Sequence, residues 1–221
     1  VTSTETGVAQ RLDLVAGTWE KNPLEVGRSI ALTFSGEGDR LIVRQESGTE
    51  LWNMETRSKM GRITEGPGVN VKVPPQGHYL ATYPFVLSEA GKNWRFCVLL
   101  WDLETGQRVG QFPWHENRLM RVKFDPSGDY LVTSSVDKPA KLWNCSDGSL
   151  LASFFGHGGE VEGCWVSRGG RRVLTRCYSD GSTRLWDGES GEEIATLGQN
   201  VDRVSSPSFS SKGNYVTATF S

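Results

Sequence analysis

Four tryptophans, each closing an apolar run and followed by Asn or Asp, recur through the chain at Trp52-Asn53, Trp101-Asp102, Trp143-Asn144 and Trp186-Asp187, with separations of 49, 42 and 43 residues. A period of this length holding four short strand-like segments describes a unit too small to bury its own apolar face, so such units must stack on one another. Glycines carry the same period independently. Gly38, Gly77, Gly128, Gly170 and Gly213 each separate two apolar runs, as in VKFDPSGDYLVTS and VKVPPQGHYLATY. Five residues after the tryptophans stand Gly106, Gly148 and Gly191, with Arg57 as the odd member and Gly7 in the slot one period upstream.

The stretch from Leu119 to Phe155 shows the unit at its clearest. Met120, Val122 and Phe124 alternate with Arg121 and Lys123, the period-two pattern of a half-buried strand. DPSG turns the chain into a second strand over Tyr130 to Ser134, DKP leads to a third over Ala140 to Trp143, and CSDG leads to a fourth from Leu150. With 26 glycines and nine prolines, helices are disfavoured throughout. The expected architecture is all-β, a propeller of four-stranded antiparallel blades occupying residues 1–221, with repeats over about 25–64, 69–114, 116–155 and 160–198.

At the ends, 1–14 and 204–221 supply pieces of a split or truncated fifth blade, with Val8 to Leu14 as its fourth strand. A ring shared between these pieces lacks a third strand, so the expectation is a segment of a larger ring. Two stretches break the regularity: an insertion around Ser88 to Trp94, and a lengthened connection over Ala16 to Pro23.

Composition excludes several partners. The net charge is −2 and like charges do not cluster, which argues against nucleic acid, and the longest wholly apolar stretch, Cys97 to Trp101, is five residues, which argues against a membrane span. Cys97, Cys145, Cys164 and Cys177 lack zinc-ligand spacing and are read as reduced and buried, in keeping with a cytoplasmic setting. His78, His115 and His157 fall in separate repeats, so no metal or cofactor is expected.

The motifs KLWN and RLWD, the turn in LWDLETGQ, the hairpin SSVDKPAKLWN and the pair Gly156-His157 resemble the WD-repeat family. That resemblance covers the chain by period and is strongest over residues 95–200. It implies a hydrogen-bonded network inside each blade, built from a His before the first strand, a Ser or Thr on the second, an Asp in the next turn and the Trp. His115, Ser135, Asp137 and Trp143 match it in the third repeat; His157, Asp180 and Trp186 match it in the fourth, with Tyr178 in the hydroxyl slot. Glu46 and Arg95 take the Asp slot in the first two repeats. The cluster of Ser, His and Asp also admits a nucleophilic triad, but Ser135 has no glycine-framed elbow and the indole recurs in the other repeats, so the structural network is preferred.

Trp114, Arg118, Lys138, Glu160 and Arg203 fall in corresponding loops at the face that relatives of this kind use for peptides. The resemblance therefore implies a non-catalytic scaffold or regulatory module that presents this face to a protein or peptide partner, including a neighbouring domain of the same polypeptide. The terse turns are similar to those of bacterial members. Two alternatives stay open: a propeller enzyme with an axial quinone or metal site, and a lectin-like array using exposed aromatics such as Trp19, Trp94 and Trp114.

Overall fold

The computed structural model describes the chain apart from residues 1, 4–6, 11, 14, 16, 20–21, 66–68, 85–97, 113–114, 116, 137–138, 198–203 and 221. Four antiparallel sheets of four strands follow one another. Blade one comprises Ala31–Phe34, Arg40–Gln45, Gly48–Asn53 and Ser58–Glu65; blade two, Val69–Lys72, Tyr79–Pro84, Leu99–Asp102 and Arg108–Gln111. Blade three contains Leu119–Phe124, Tyr130–Ser135, Ala140–Asn144 and Leu150–Phe154, and blade four contains Gly163–Val166, Arg172–Cys177, Ser182–Asp187 and Glu193–Leu197. In every sheet the strand order is the chain order. A hairpin of Val204–Phe209 and Val216–Phe220 comes last.

The core lies between blades. Val132, Leu142 and Phe154 of blade three pack with Cys164, Val173 and Trp186 of blade four, while Leu131 and Trp143, on the other face of blade three, pack with Leu100 and Phe112 of blade two. Neighbouring residues Leu131 and Val132 thus serve opposite interfaces, which is why the second strands read as near-continuous apolar runs. The indoles of blades three and four lean on an aromatic of the preceding blade: Phe112 and Trp143 have ring centroids 5.2 Å apart, Phe154 and Trp186 5.6 Å. Ile63 occupies the corresponding place against Trp101.

The residue after each tryptophan explains the turn that follows. Oδ1 of Asp102 accepts the backbone N–H groups of Glu104 and Thr105, and Asn53 and Asp187 do the same for the two residues at that spacing; Asn144 takes the N–H of Ser146. Gly106, Gly148 and Gly191 then close the turn at φ near +70°, and Arg57 adopts φ 55° in the same slot. Opposite each Trp the fourth strand bulges, a register shift repeated in all four blades.

The turns between first and second strands interlock from blade to blade. A Cβ at Gly128 would stand 2.4 Å from the Gln76 carbonyl oxygen, so the turns of blades two and three approach backbone to backbone. Asp125, fully buried, takes the N–H groups of Ser127 and Tyr130 and also that of Gly169 in blade four. Arg168 reaches past blade three to the side chain of Gln76. This end is the turn end; the opposite one, where His115 and His157 enter, is the loop end.

The N-terminal reading needs correction. Val8–Gln10 is the middle strand of a three-stranded sheet, between Thr2–Ser3 and Leu24–Glu25, rather than the start of an outer strand running to Leu14. Leu12–Asp13 instead folds onto Thr18–Trp19 as a separate hairpin. Glu25, expected to open the first repeat, belongs to this preceding sheet, whose Ala9, Leu24 and Val26 pack against Leu41 and Val43 of blade one. The insertion around Ser88 to Trp94 lies outside the described residues.

Candidate functional site

The best-described polar cluster sits at the loop end of blade four. The Trp186 indole N–H donates to Oγ1 of Thr175 at 2.7 Å, and that oxygen lies 2.7 Å from Nε2 of His157. Nδ1 of His157 is 2.9 Å from Oδ2 of Asp180, whose two oxygens also take the N–H groups of Gly158 and Ser182 and the Ser182 hydroxyl. One assignment satisfies every link: the indole donates to Thr175, the Thr175 hydroxyl donates to a neutral imidazole, and Nδ1–H donates to the carboxylate. Burial pushes the Asp180 carboxyl up, but these donors outweigh it and hold the group well below the usual carboxylate range.

Blade three repeats the inner part of this wiring. Trp143 donates to Oγ1 of Thr133 at 2.9 Å, and Nε2 of His115 lies 2.7 Å from the same oxygen. The hydroxyl in the relay is therefore Thr133 and not Ser135, which instead donates to the carbonyls of Asn117 and Arg118. In blade four it is Thr175, and Tyr178, expected in that role, lies exposed in the turn beyond the strand. Blade two keeps the acceptor, Trp101 donating to Thr82 at 2.8 Å, while its described histidine, His78, lies exposed in a turn.

Blade one departs instructively. Thr82, Thr133 and Thr175 all sit two residues beyond the residue paired with the Trp; at that register blade one has Val43. With no hydroxyl available, the Trp52 indole donates to Glu50 at 3.2 Å, and Lys59 pairs with Glu50 at 2.6 Å. Glu46, expected in the Asp slot, is exposed in a turn. Blade four carries the same pair of positions with charges exchanged, Arg184 and Glu193 at 3.0 Å.

The cluster is built for holding rather than for chemistry. A nucleophile needs an exposed oxygen with a free base beside it, whereas Thr175 is fully buried and its oxygen is committed to both the indole and the imidazole. Ligand atoms of His157, Cys177 and Asp180 lie within 4.8 Å of one another, a spacing a cation could use, yet both imidazole nitrogens are already engaged by Thr175 and Asp180. Among the described residues Cys145, Cys164 and Cys177 are free and buried; burial pushes the Cys164 thiol up to about 11, away from thiolate reactivity.

A pH response follows from His157. Burial holds its imidazole below the ordinary 6.5, outweighing the opposing pull of Asp180. The unfolded chain then takes up a proton first as pH falls, so stability is lost below about 6.5 and down to the folded value. Asp180 adds a second loss only at still lower pH, as acid protonates a carboxylate the fold keeps ionised. Thermal midpoints of the parent and a His157→Gln variant should converge as pH falls below about 6.5; parallel curves would contradict this account.

The other expected site residues are placed as follows. Arg118 and Glu160 are exposed at the loop end, and His78 is exposed in a turn. Trp114, Asp137, Lys138 and Arg203, with Arg95, lie outside the described residues, as does Trp94. Trp19 is 49% exposed on its own hairpin. Sequence reasoning singled out none of the first-strand cations Lys72, Arg121 and Lys123 as a set, although their alternation with apolar residues was visible.

Residues 106–144 and 148–187 match the model of the WD domain, G-beta repeat, so two WD repeats lie within blades three and four and the strand leading into them. Eukaryotic translation initiation factor 3 subunit I of Drosophila grimshawi is 33% identical over 100 residues, 45% of this chain and 30% of that protein. A periodic tryptophan protein 2 homolog of Dictyostelium discoideum is 25% identical over 125 residues, 57% of this chain and 13% of that protein. The chain thus spans less than a third of the length of these relatives, which are eukaryotic and lend no support to the expected bacterial origin. Among solved structures, the C-terminal WD40 domain of Sif2 superposes with a TM-score of 0.56 at 19% identity, covering 90% of this chain and 55% of that one, a likeness of fold.

Proposed function

We propose that this chain is a non-catalytic scaffold whose loop end docks a protein partner. The observation that carries the reading is the reuse of one wiring in successive blades. In blades two, three and four the indole finds a threonine acceptor at the same register, and His115 and His157 are locked beneath the loop end, so that described polar chemistry there is spent on rigidity. A rigid rim with exposed Asn117, Arg118 and Glu160 suits recognition. The similarity to an initiation factor subunit supports a place in a multi-protein assembly, and reduced buried thiols support a cytoplasmic one. A neighbouring domain of a longer polypeptide is a partner of the same kind.

Photo-crosslinking separates the two ends. Benzoylphenylalanine placed at Asn117 or Glu160 and irradiated in eukaryotic cells should give discrete protein adducts, whereas the same probe at Glu37 or Lys212, exposed at the turn end, should not. Adducts formed equally from both ends, or from neither, would sink the reading.

A further inference from the structure

Between blades two and three the first strands leave a groove of about 480 Å³ lined by Asn70, Lys72, Tyr83, Arg118, Arg121 and Lys123. The cations have a common cause. First strands of successive blades lie side by side; Arg121 and Lys123, alternating with buried Val122, lie on the blade-four side of their strand, where Lys123 meets Trp165, and line one groove with Lys72 of blade two. None of the ion pairs formed by the described residues involves Lys72, Arg121 or Lys123. Lys123 stands 4.6 Å over the Trp165 ring, and burial, with Arg121, Lys72 and Arg176 nearby, lowers its pKa. Like charges gathered without a counter-ion oppose folding unless an anion joins them.

We propose that this groove binds an acidic peptide segment, whose carboxylates supply the missing counter-charge to Lys72, Arg121, Lys123 and Arg118. The proposal rests on the docking reading above and narrows it to the partner's chemistry. Arg118 and Arg121 flank Leu119 and Met120 along the lining, so an extended peptide finds apolar and charged contacts side by side. The first strand of blade three, Leu119–Phe124, is six residues long, a span of about 20 Å that matches an extended segment of similar length. Nucleic acid fits less well. Tyr83 is the one aromatic among the described lining residues and Lys123 covers the Trp165 ring nearby, whereas a single strand is held by several successive stacked bases. Entry is from the loop end, since the turns crowd together at the other.

The test uses a fluorescein-labelled decapeptide of alternating Glu and Gly, its Gln-for-Glu counterpart, and fluorescence anisotropy at low salt. The parent should bind the Glu peptide and not the Gln peptide. A combined Lys72→Gln, Arg121→Gln, Lys123→Gln variant should weaken binding about tenfold or more, and roughly 200 mM salt should weaken it further in the parent. Arg171→Gln with Lys212→Gln, drawn from a second basic hollow at the turn end, should leave it unchanged. Lys72→Gln alone, on an exposed side chain, should still weaken binding about threefold and covers the case in which the triple variant fails to fold. Equal loss in the turn-end control, no loss in the groove variants, or displacement of the Glu peptide by an oligothymidylate that itself depends on the three cations would each overturn the proposal. If loop-end crosslinks form while the Glu peptide fails to bind, the acidic chemistry falls and docking stands; if crosslinks are absent as well, the docking reading falls with it.

Discussion

Replacing Trp143 by alanine should destabilise the chain by about 3–5 kcal/mol, read as a lowered urea midpoint followed by far-UV circular dichroism. The side chain is 1% exposed, fills the interface of blades two and three against Phe112, Leu100 and Leu131, and gives its only N–H to Thr133. Its removal opens a cavity between two sheets and strips Thr133 of a donor at once. Phe154→Ala, at the next interface against Trp186, should cost a comparable amount, because that ring is equally buried. Phe155, the very next residue, is 70% exposed, and its alanine variant should stay within about 0.5 kcal/mol of the parent. If Phe154→Ala and Phe155→Ala shifted the midpoint alike, the core would not lie between blades as described. In a stack of blades the loss need not stay local, since each blade contributes a face to two interfaces and blade three loses its support from blade two.

The repeat was legible because two residue types occupy slots that few others fill. An indole closing the third strand needs space at a blade interface, and a glycine at positive φ closes the turn before the second strand; Gly38, Gly77, Gly128, Gly170 and Gly213 all have φ between 71° and 96°. The relay was legible only in outline. Ser135 and Thr133 differ by two, point to the same face of the strand, and cannot be told apart by alternation; the choice is made by the pairing of Leu131 with Trp143, which puts Thr133 beneath the indole. Tyr178 was misplaced for another reason. Carrying the Ser135–Asp137 spacing onto Asp180 assumes equal hairpins, but Thr133 pairs with Lys141, eight residues on, and Thr175 with Arg184, nine residues on. One extra residue moves the hydroxyl slot. The cationic groove was illegible for a third reason: Lys72 and Arg121 are 49 residues apart, and only the stacking of first strands makes them neighbours.

Thr175→Val is expected to cost about 2–6 kcal/mol, since a change of one oxygen for one methyl group leaves the Trp186 N–H and Nε2 of His157 both buried without a partner, at about 1–3 kcal/mol each. Blade one shows how the chain manages a valine at this register. There Val43 is accommodated because Glu50, on the Trp-bearing strand, accepts the Trp52 N–H and is itself held by Lys59. Arg184 and Glu193 occupy the corresponding positions in blade four. Transplanting the blade-one arrangement, as Thr175→Val with Arg184→Glu and Glu193→Lys, should therefore restore the indole's share, about 1–3 kcal/mol, relative to Thr175→Val alone. It should not restore the imidazole's share, because nothing in blade one stands in for the partner of Nε2. Adding His157→Leu to the transplanted variant removes that orphaned nitrogen and tests the remainder, provided the Asp180 carboxylate keeps its other donors, Gly158 and Ser182. A transplanted variant no more stable than Thr175→Val would mean that the indole's hydrogen bond contributes little, and that the recurrence of Thr at this register reflects packing between blades.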